Sequence, residues 1–157
     1  MSVDVTAMYQ DIILDHYREK HHAGLREPFG AQVHHVNPSC GDELTLRVEL
    51  DGDRIADVSY EGDGCSISQA STSVMSDLVI GKTVPEAMGL YEQFQDMMES
   101  GGKAEPDEDT LEDAIAFNGV AQFPNRVKCA MLGWSALRDA LIRAGADVTE
   151  TEKETTR

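Results

Sequence analysis

Cations are scarce in this chain: 13 Lys and Arg stand against 29 Asp and Glu, a net charge of −16. That balance argues against nucleic acid as a partner, since phosphates need a basic footprint, and it suits docking on a basic protein surface. Long apolar runs are missing too. None approaches the length of a membrane span, and Asp4, Gln10 and Asp11 stand where a signal peptide would carry a basic and then an apolar stretch. A cytoplasmic location, with no membrane contact, is therefore expected. Cysteine is sparse: the three present cannot pair off completely, and no two have C-x-x-C spacing. In a reducing compartment such thiols stay free to bind metal or accept sulfur. With 157 residues and 41% hydrophobic content, the chain can bury one core without disulfide staples.

Periodicity supplies the architecture. From Asp4 to about Lys20, Val5, Met8, Tyr9, Ile12, Ile13 and His16 recur at helical spacing. Residues 44–50 (Leu-Thr-Leu-Arg-Val-Glu-Leu) alternate, Asp51-Gly52 signals a turn, and Ile55 to Glu61 alternates again, which predicts an antiparallel hairpin. Residues 31–36 read as a third strand. After Cys65 the period becomes helical through Ile67, Ala70, Val74 and Leu78, ending near Gly81. Thr83-Val84-Pro85-Glu86 is a capping-box start for a helix carrying Val84, Met88, Tyr91, Phe94 and Met98 on one face. Gly101-Gly102 stops it. A short acidic helix is expected from about Asp107 to Asn118, and a final one from about Pro124 to Ala144. Residues 105–113 hold six carboxylates, which read as a helix start favoured by the dipole or as a docking patch. The expected fold is α+β: an N-terminal helix, a small three-stranded antiparallel sheet, then packed C-terminal helices. Residues 1–146 form one domain in this reading, and 147–157 a flexible acidic tail.

The cysteines occupy distinct settings. Cys40 lies in Asn37-Pro38-Ser39-Cys40-Gly41-Asp42, a loop shaped by Pro38 and Gly41. Cys65 lies in Gly62-Asp63-Gly64-Cys65-Ser66-Ile67-Ser68 at a helix N-terminus, where unpaired N–H groups favour thiolate. Cys129 follows Arg126-Val127-Lys128 on the last helix. At 100° per residue it points away from the stripe of Val127, Ala130, Met131, Trp134, Leu137 and Leu141, on the side of Gly133, Ala136 and Ala140. Two readings stand: three buried structural thiols, or three thiols converging on one metal with Asp42 as the fourth ligand of tetrahedral zinc. Asp42 is also ordinary turn chemistry. His21, His22, His34 and His35 show no ligand spacing, and Trp134, Tyr91, Met97 and Met98 read as core. Arg126 and Lys128 are solvent-exposed cations, thiolate stabilisers or partner contacts.

Taken together, these three cysteine contexts resemble the U-type iron–sulfur cluster assembly proteins, the IscU/NifU/SufU family, over roughly Asp4 to Gly145. Lys128 stands where IscU-type scaffolds have His, and residues from about Gly81 to Lys103 form an insert that those scaffolds lack. Both features are similar to the SufU type. The resemblance implies a zinc-dependent sulfurtransferase with zinc held by Cys40, Asp42, Cys65 and Cys129. It would accept persulfide sulfur from a pyridoxal-phosphate cysteine desulfurase of SufS type and pass it to downstream Suf scaffold proteins. Cys40, on the most mobile of the three settings, is the expected persulfide acceptor, with Cys129 second. A scaffold building a [2Fe–2S] cluster on the same ligands is the alternative, and a structural zinc module used for docking is a third. The insert is the candidate for telling Suf-type from Isc-type partners.

Overall fold

The computed structural model describes residues 5–149 of the chain. Helix α1 (Val5–Glu19) precedes strands β1 (Ala31–Asn37), β2 (Asp42–Asp51) and β3 (Arg54–Asp63), followed by α2 (Ser66–Val79), α3 (Val84–Glu99), α4 (Glu108–Leu111) and α5 (Pro124–Arg143). Asp4, the side chain of Val5 and residues 150–157 of the expected tail lie outside the described residues, while Val148 is buried in the core.

The three strands form an antiparallel meander in the order β1-β2-β3. Leu44, Leu46 and Val48 of β2 turn one way, flanked by Val33 of β1 and by Val58 and Tyr60 of β3, and all six are buried. Alternation of this kind gives a sheet one apolar face. That face is covered by α5, which packs on β1 and β2 and also on α2. The β2–β3 turn closes over Gly52-Asp53, with Gly52 at φ +66°. Gly133 is the close-approach point between α5 and α2, since any side chain there would collide with Thr72 Oγ1. Nearby, the Ser71 hydroxyl donates to the Ala130 carbonyl at 2.7 Å. The small-residue side of α5 thus faces α2, and this crossing carries Cys129 toward the helix that Cys65 begins.

Helix α3 starts with the expected capping box: the Thr83 side chain accepts from Glu86 N–H, and the Glu86 carboxylate accepts from Thr83 N–H. Its apolar stripe is core. Val84, Met88, Leu90, Phe94, Met97 and Met98 are buried, and Phe94 stacks on Trp134 with ring centroids 4.7 Å apart. The insert singled out from the sequence therefore closes the hydrophobic core on one side, leaving only its polar face for partner contact. Tyr91 is half-buried beside it.

The expected helix over 107–118 is broken. Asp107 caps a single turn, accepting from Asp109 N–H at 3.0 Å, and Glu112 then takes φ +49°. From Glu112 to Asn118 the chain winds as a 3-10 helix. Ala114, Ile115, Ala116 and Phe117 are four consecutive buried residues. An α-helix with one apolar stripe would leave part of that run in water, whereas this segment lies among α1, α2 and α3.

A histidine cluster ties the end of α1 to α2. His16 is buried, with Nδ1 2.8 Å from Ser73 Oγ and Nε2 3.0 Å from Asp113 Oδ2. His21 contacts Asp77 Oδ2 at 2.6 Å and Glu19 Oε1 at 2.7 Å, and His22 meets the other Asp77 oxygen at 2.9 Å. The Glu19 hydrogen bond, followed by that of Asp77, raises the His21 pKa. Its folded pKa thus lies above the ordinary value of about 6.5, so its stabilisation is complete below that pH and is lost as pH rises through the folded value. Thermal unfolding across neutral pH is expected to show a decline on the alkaline side that His21→Gln abolishes. Parallel parent and variant curves would exclude His21 as the source.

Candidate metal centre

The β1–β2 connection is Pro38-Ser39-Cys40-Gly41, closed by the Asn37↔Asp42 pair. Asn37 organises it. Its backbone carbonyl accepts from Cys40 N–H at 3.2 Å and Gly41 N–H at 3.0 Å, while its side-chain Oδ1 accepts from Ser39 N–H at 3.2 Å. Gly41 takes φ +73°, a conformation in which a side chain is strained. Cys40 is left exposed at the tip.

Asp42, the first residue of β2, turns inward and is only 1% exposed. Its Oδ1 accepts the Cys65 backbone N–H at 2.9 Å, and its Oδ2 lies 3.7 Å from Cys65 Sγ. Cys65 occupies the N-cap position of α2 without capping it through its side chain, so the sulfur is free for other contacts. Gly64 permits this approach: a Cβ there would lie 2.9 Å from Asp42 Oδ1 and 2.5 Å from Ser68 Oγ. Gly64→Ala is therefore expected to displace the Asp42 carboxylate and weaken metal binding about tenfold or more, as disturbing the groups that orient a metal ligand does. Chelator competition measures it. Parent-like affinity would mean that Asp42 holds its place without the glycine.

Cys129 is fully buried. Its sulfur lies 2.9 Å from that of Cys40, both being free thiols, and 3.7 Å from the Asn125 carbonyl. Burial, then the neighbouring Cys40, Asp42 and Cys65 side chains, push the Cys129 thiol far above the ordinary range. Gathered with a carboxylate and two other thiols, the Cys129 thiol resists ionisation until a cation joins them, which inverts the local preference.

The donor atoms of Cys40, Asp42 and Cys129 all lie within 4.8 Å of one another. Cys65 borders that group through Asp42. Tetrahedral zinc sets its sulfur ligands about 3.8 Å apart, so the set fits such an ion once the Cys40–Cys129 pair opens by about 1 Å. None of the five histidines belongs to this group: His34 contacts Thr45, His35 contacts Asp139, and the others form the α1–α2 cluster. Arg126 and Lys128 are exposed beside the third thiol. Two contributors had no role in the sequence reading. Asn37 places its Nδ2 3.6 Å from Cys40 Sγ and 3.8 Å from Cys129 Sγ, and the Ser68 hydroxyl donates to the Cys65 carbonyl at 3.1 Å. The Asn-Pro-Ser-Cys string signalled a turn, but nothing in it shows that the amide faces a helix 92 residues away.

Beside the thiols, Tyr9, Ile13, Leu14, Ile67, Val120 and Phe123 line an apolar groove that reaches Ser66 and Arg126. Among the described residues, no helix is long and apolar enough to cross a membrane.

Comparison with known proteins places this geometry. Residues 8–130 match the family model for the NifU-like N-terminal domain. The chain is 41% identical to the iron–sulfur cluster assembly scaffold protein IscU of Streptococcus pyogenes serotype M1, over 87% of this chain and 84% of that protein. It is 38% identical to the zinc-dependent sulfurtransferase SufU of Bacillus subtilis (strain 168), over 90% of this chain and 95% of that one. Among solved structures, a protein from Fervidobacterium islandicum AW-1, described as an iron–sulfur cluster assembly scaffold for the SUF system, superposes with a TM-score of 0.78 and 42% identity, covering 86% of this chain and 97% of that one. With the helix, three-stranded meander and following helices in the same order, the chain belongs to the U-type iron–sulfur cluster assembly family, whose domain is that of the NifU N-terminus.

Proposed function

We propose that this protein works in iron–sulfur cluster assembly as a zinc-dependent sulfur acceptor, with Cys40, Asp42, Cys65 and Cys129 as the ligands and Cys40 as the atom that receives sulfur. One observation carries the reading: Cys40 is exposed while its sulfur lies 2.9 Å from the buried sulfur of Cys129. An exposed thiol beside a half-buried and a fully buried one suits delivery to one sulfur more than a closed structural site does. The zinc-dependent sulfurtransferase relative, and Lys128 where scaffolds of IscU type carry His, support it. Zinc, when bound, supplies the charge that keeps the thiols as thiolates at neutral pH.

The partner in this proposal is a pyridoxal-phosphate cysteine desulfurase of SufS type, working in the cytoplasm. The Cys40 thiolate attacks the outer sulfur of the enzyme's persulfide; a new S–S bond forms on Cys40, the old one breaks, and the enzyme's cysteine leaves as thiolate. Asp42 cannot carry sulfane sulfur. Downstream Suf scaffold proteins take the sulfur by a second exchange of the same kind. The apolar groove beside the site gives the desulfurase a surface to rest on.

Incubation with a cysteine desulfurase and cysteine, followed by mass spectrometry of tryptic peptides, tests this. Added sulfur is expected on the Cys40 peptide, retained in Asp42→Ala and lost in Cys40→Ser. Persulfide confined to the Cys129 peptide would overturn the Cys40 assignment. The scaffold name of the 41% identical streptococcal relative favours a second reading, a [2Fe–2S] cluster on the same ligands. Cluster formation without persulfide on any cysteine would select it.

A further inference from the structure

We propose that Asn37 is a positioning residue of the centre, its side-chain amide donating an N–H that the sulfurs of Cys40 and Cys129 share. This rests on the reading of the thiols as metal ligands. Asn37 is the last residue of β1 and is 7% exposed. Its Nδ2 lies 3.6 Å from Cys40 Sγ and 3.8 Å from Cys129 Sγ, within reach of N–H···S bonds. The orientation of the amide follows from its surroundings. Oδ1 accepts from the Ser39 N–H at 3.2 Å, a donor that an NH₂ group could not satisfy. With the oxygen so committed, the amide nitrogen faces the two sulfurs, which lie close enough together to share one N–H.

The arrangement solves a specific problem. Cys40 sits on a loop tip and Cys129 on a helix 89 residues further along, and no backbone hydrogen bond between them is required by the fold. Asn37 spans the two, because its backbone carbonyl fixes the Cys40 turn while its amide reaches α5. Donation to a thiolate also withdraws electron density from sulfur and satisfies lone pairs that the ion leaves unused. Outer-shell partners of metal ligands of this kind change affinity by about 10–100-fold when removed.

Asn37→Asp separates the sulfur contacts from the turn. Aspartate keeps the size and the acceptor for Ser39 N–H, so the loop can form, but it offers sulfur a carboxylate instead of N–H donors. Two readouts on the full chain are used: zinc affinity by competition with a chromophoric chelator, and the sulfur-to-cobalt charge-transfer band of the Co²⁺-loaded protein. Asn37→Asp is expected to lose about 10–100-fold in zinc affinity and to shift the band to lower energy, because sulfur lone pairs relieved of N–H donors lie higher. A residue that merely shaped the loop would leave the band where it is. Should Asn37→Asp not fold, Asn37→Ala, which brings in no charge, is expected to move the band the same way. A variant that matches the parent in band and affinity overturns the role of Asn37 alone. A parent that takes up neither zinc nor cobalt overturns it together with the reading on which it rests.

Discussion

Replacing Cys129 by alanine is expected to lower zinc affinity by at least about a hundredfold, beyond the range that outer-shell changes reach. The substitution removes one sulfur and little else. Cys129 is fully buried between Lys128 and Ala130 on α5, its neighbour across the site is Cys40, and a methyl group fits where the thiol sat. The zinc-free protein is expected to melt close to the parent, because the lost contacts are those of a thiol held un-ionised against other acidic groups. With zinc present the two must diverge. Metal that binds only the folded chain stabilises it in proportion to the logarithm of affinity, and a hundredfold loss corresponds to about 2.7 kcal/mol. Chelator competition and melting with and without zinc measure both halves. Unchanged affinity would remove Cys129 from the ligand set.

Phe94→Ala is expected to cost about 3–5 kcal/mol, the range for aromatic truncation in a packed core. Phe94 is fully buried, stacked on Trp134 at 4.7 Å and edge-on to Phe117 at 5.9 Å. Aromatic pairs in these geometries add about 0.5–1.5 kcal/mol beyond their area. Against a total stability of about 5–15 kcal/mol, the loss is large, and urea unfolding will show it as a shifted midpoint. It also joins α3 to the site's support, since Trp134 stands five residues after Cys129 on the same helix. A cost below about 1 kcal/mol would make α3 an appendage to the core.

The sequence reading and the structure agree where local chemistry decides. The β2–β3 hairpin followed from alternation on both sides of Asp51-Gly52, and α3 began at its capping box. Cys129 was placed on the small-residue side of α5 by helical arithmetic, and Gly133 against Thr72 shows why that side faces α2. What stayed hidden depends on packing between distant segments. The break at Glu112 arises because Ala114 to Phe117 must all be buried, a demand set by α1, α2 and α3 and not by their own spacing. The apolar face of the insert was visible as a stripe, but that Trp134 was its counterpart was not. The role of Asn37 was masked in the same way, since a turn residue and a sulfur donor look alike until α5 is folded beside the loop.

One zinc held by three sulfurs and one oxygen is the centre expected in this protein, and X-ray absorption at the zinc edge reads that set directly. One zinc per chain is expected, with three sulfur scatterers at about 2.3 Å and one oxygen at about 2.0–2.2 Å, the oxygen contribution altering in Asp42→Ala. A protein that takes up no zinc, or whose zinc carries imidazole nitrogen in place of the three sulfurs, would contradict that expectation.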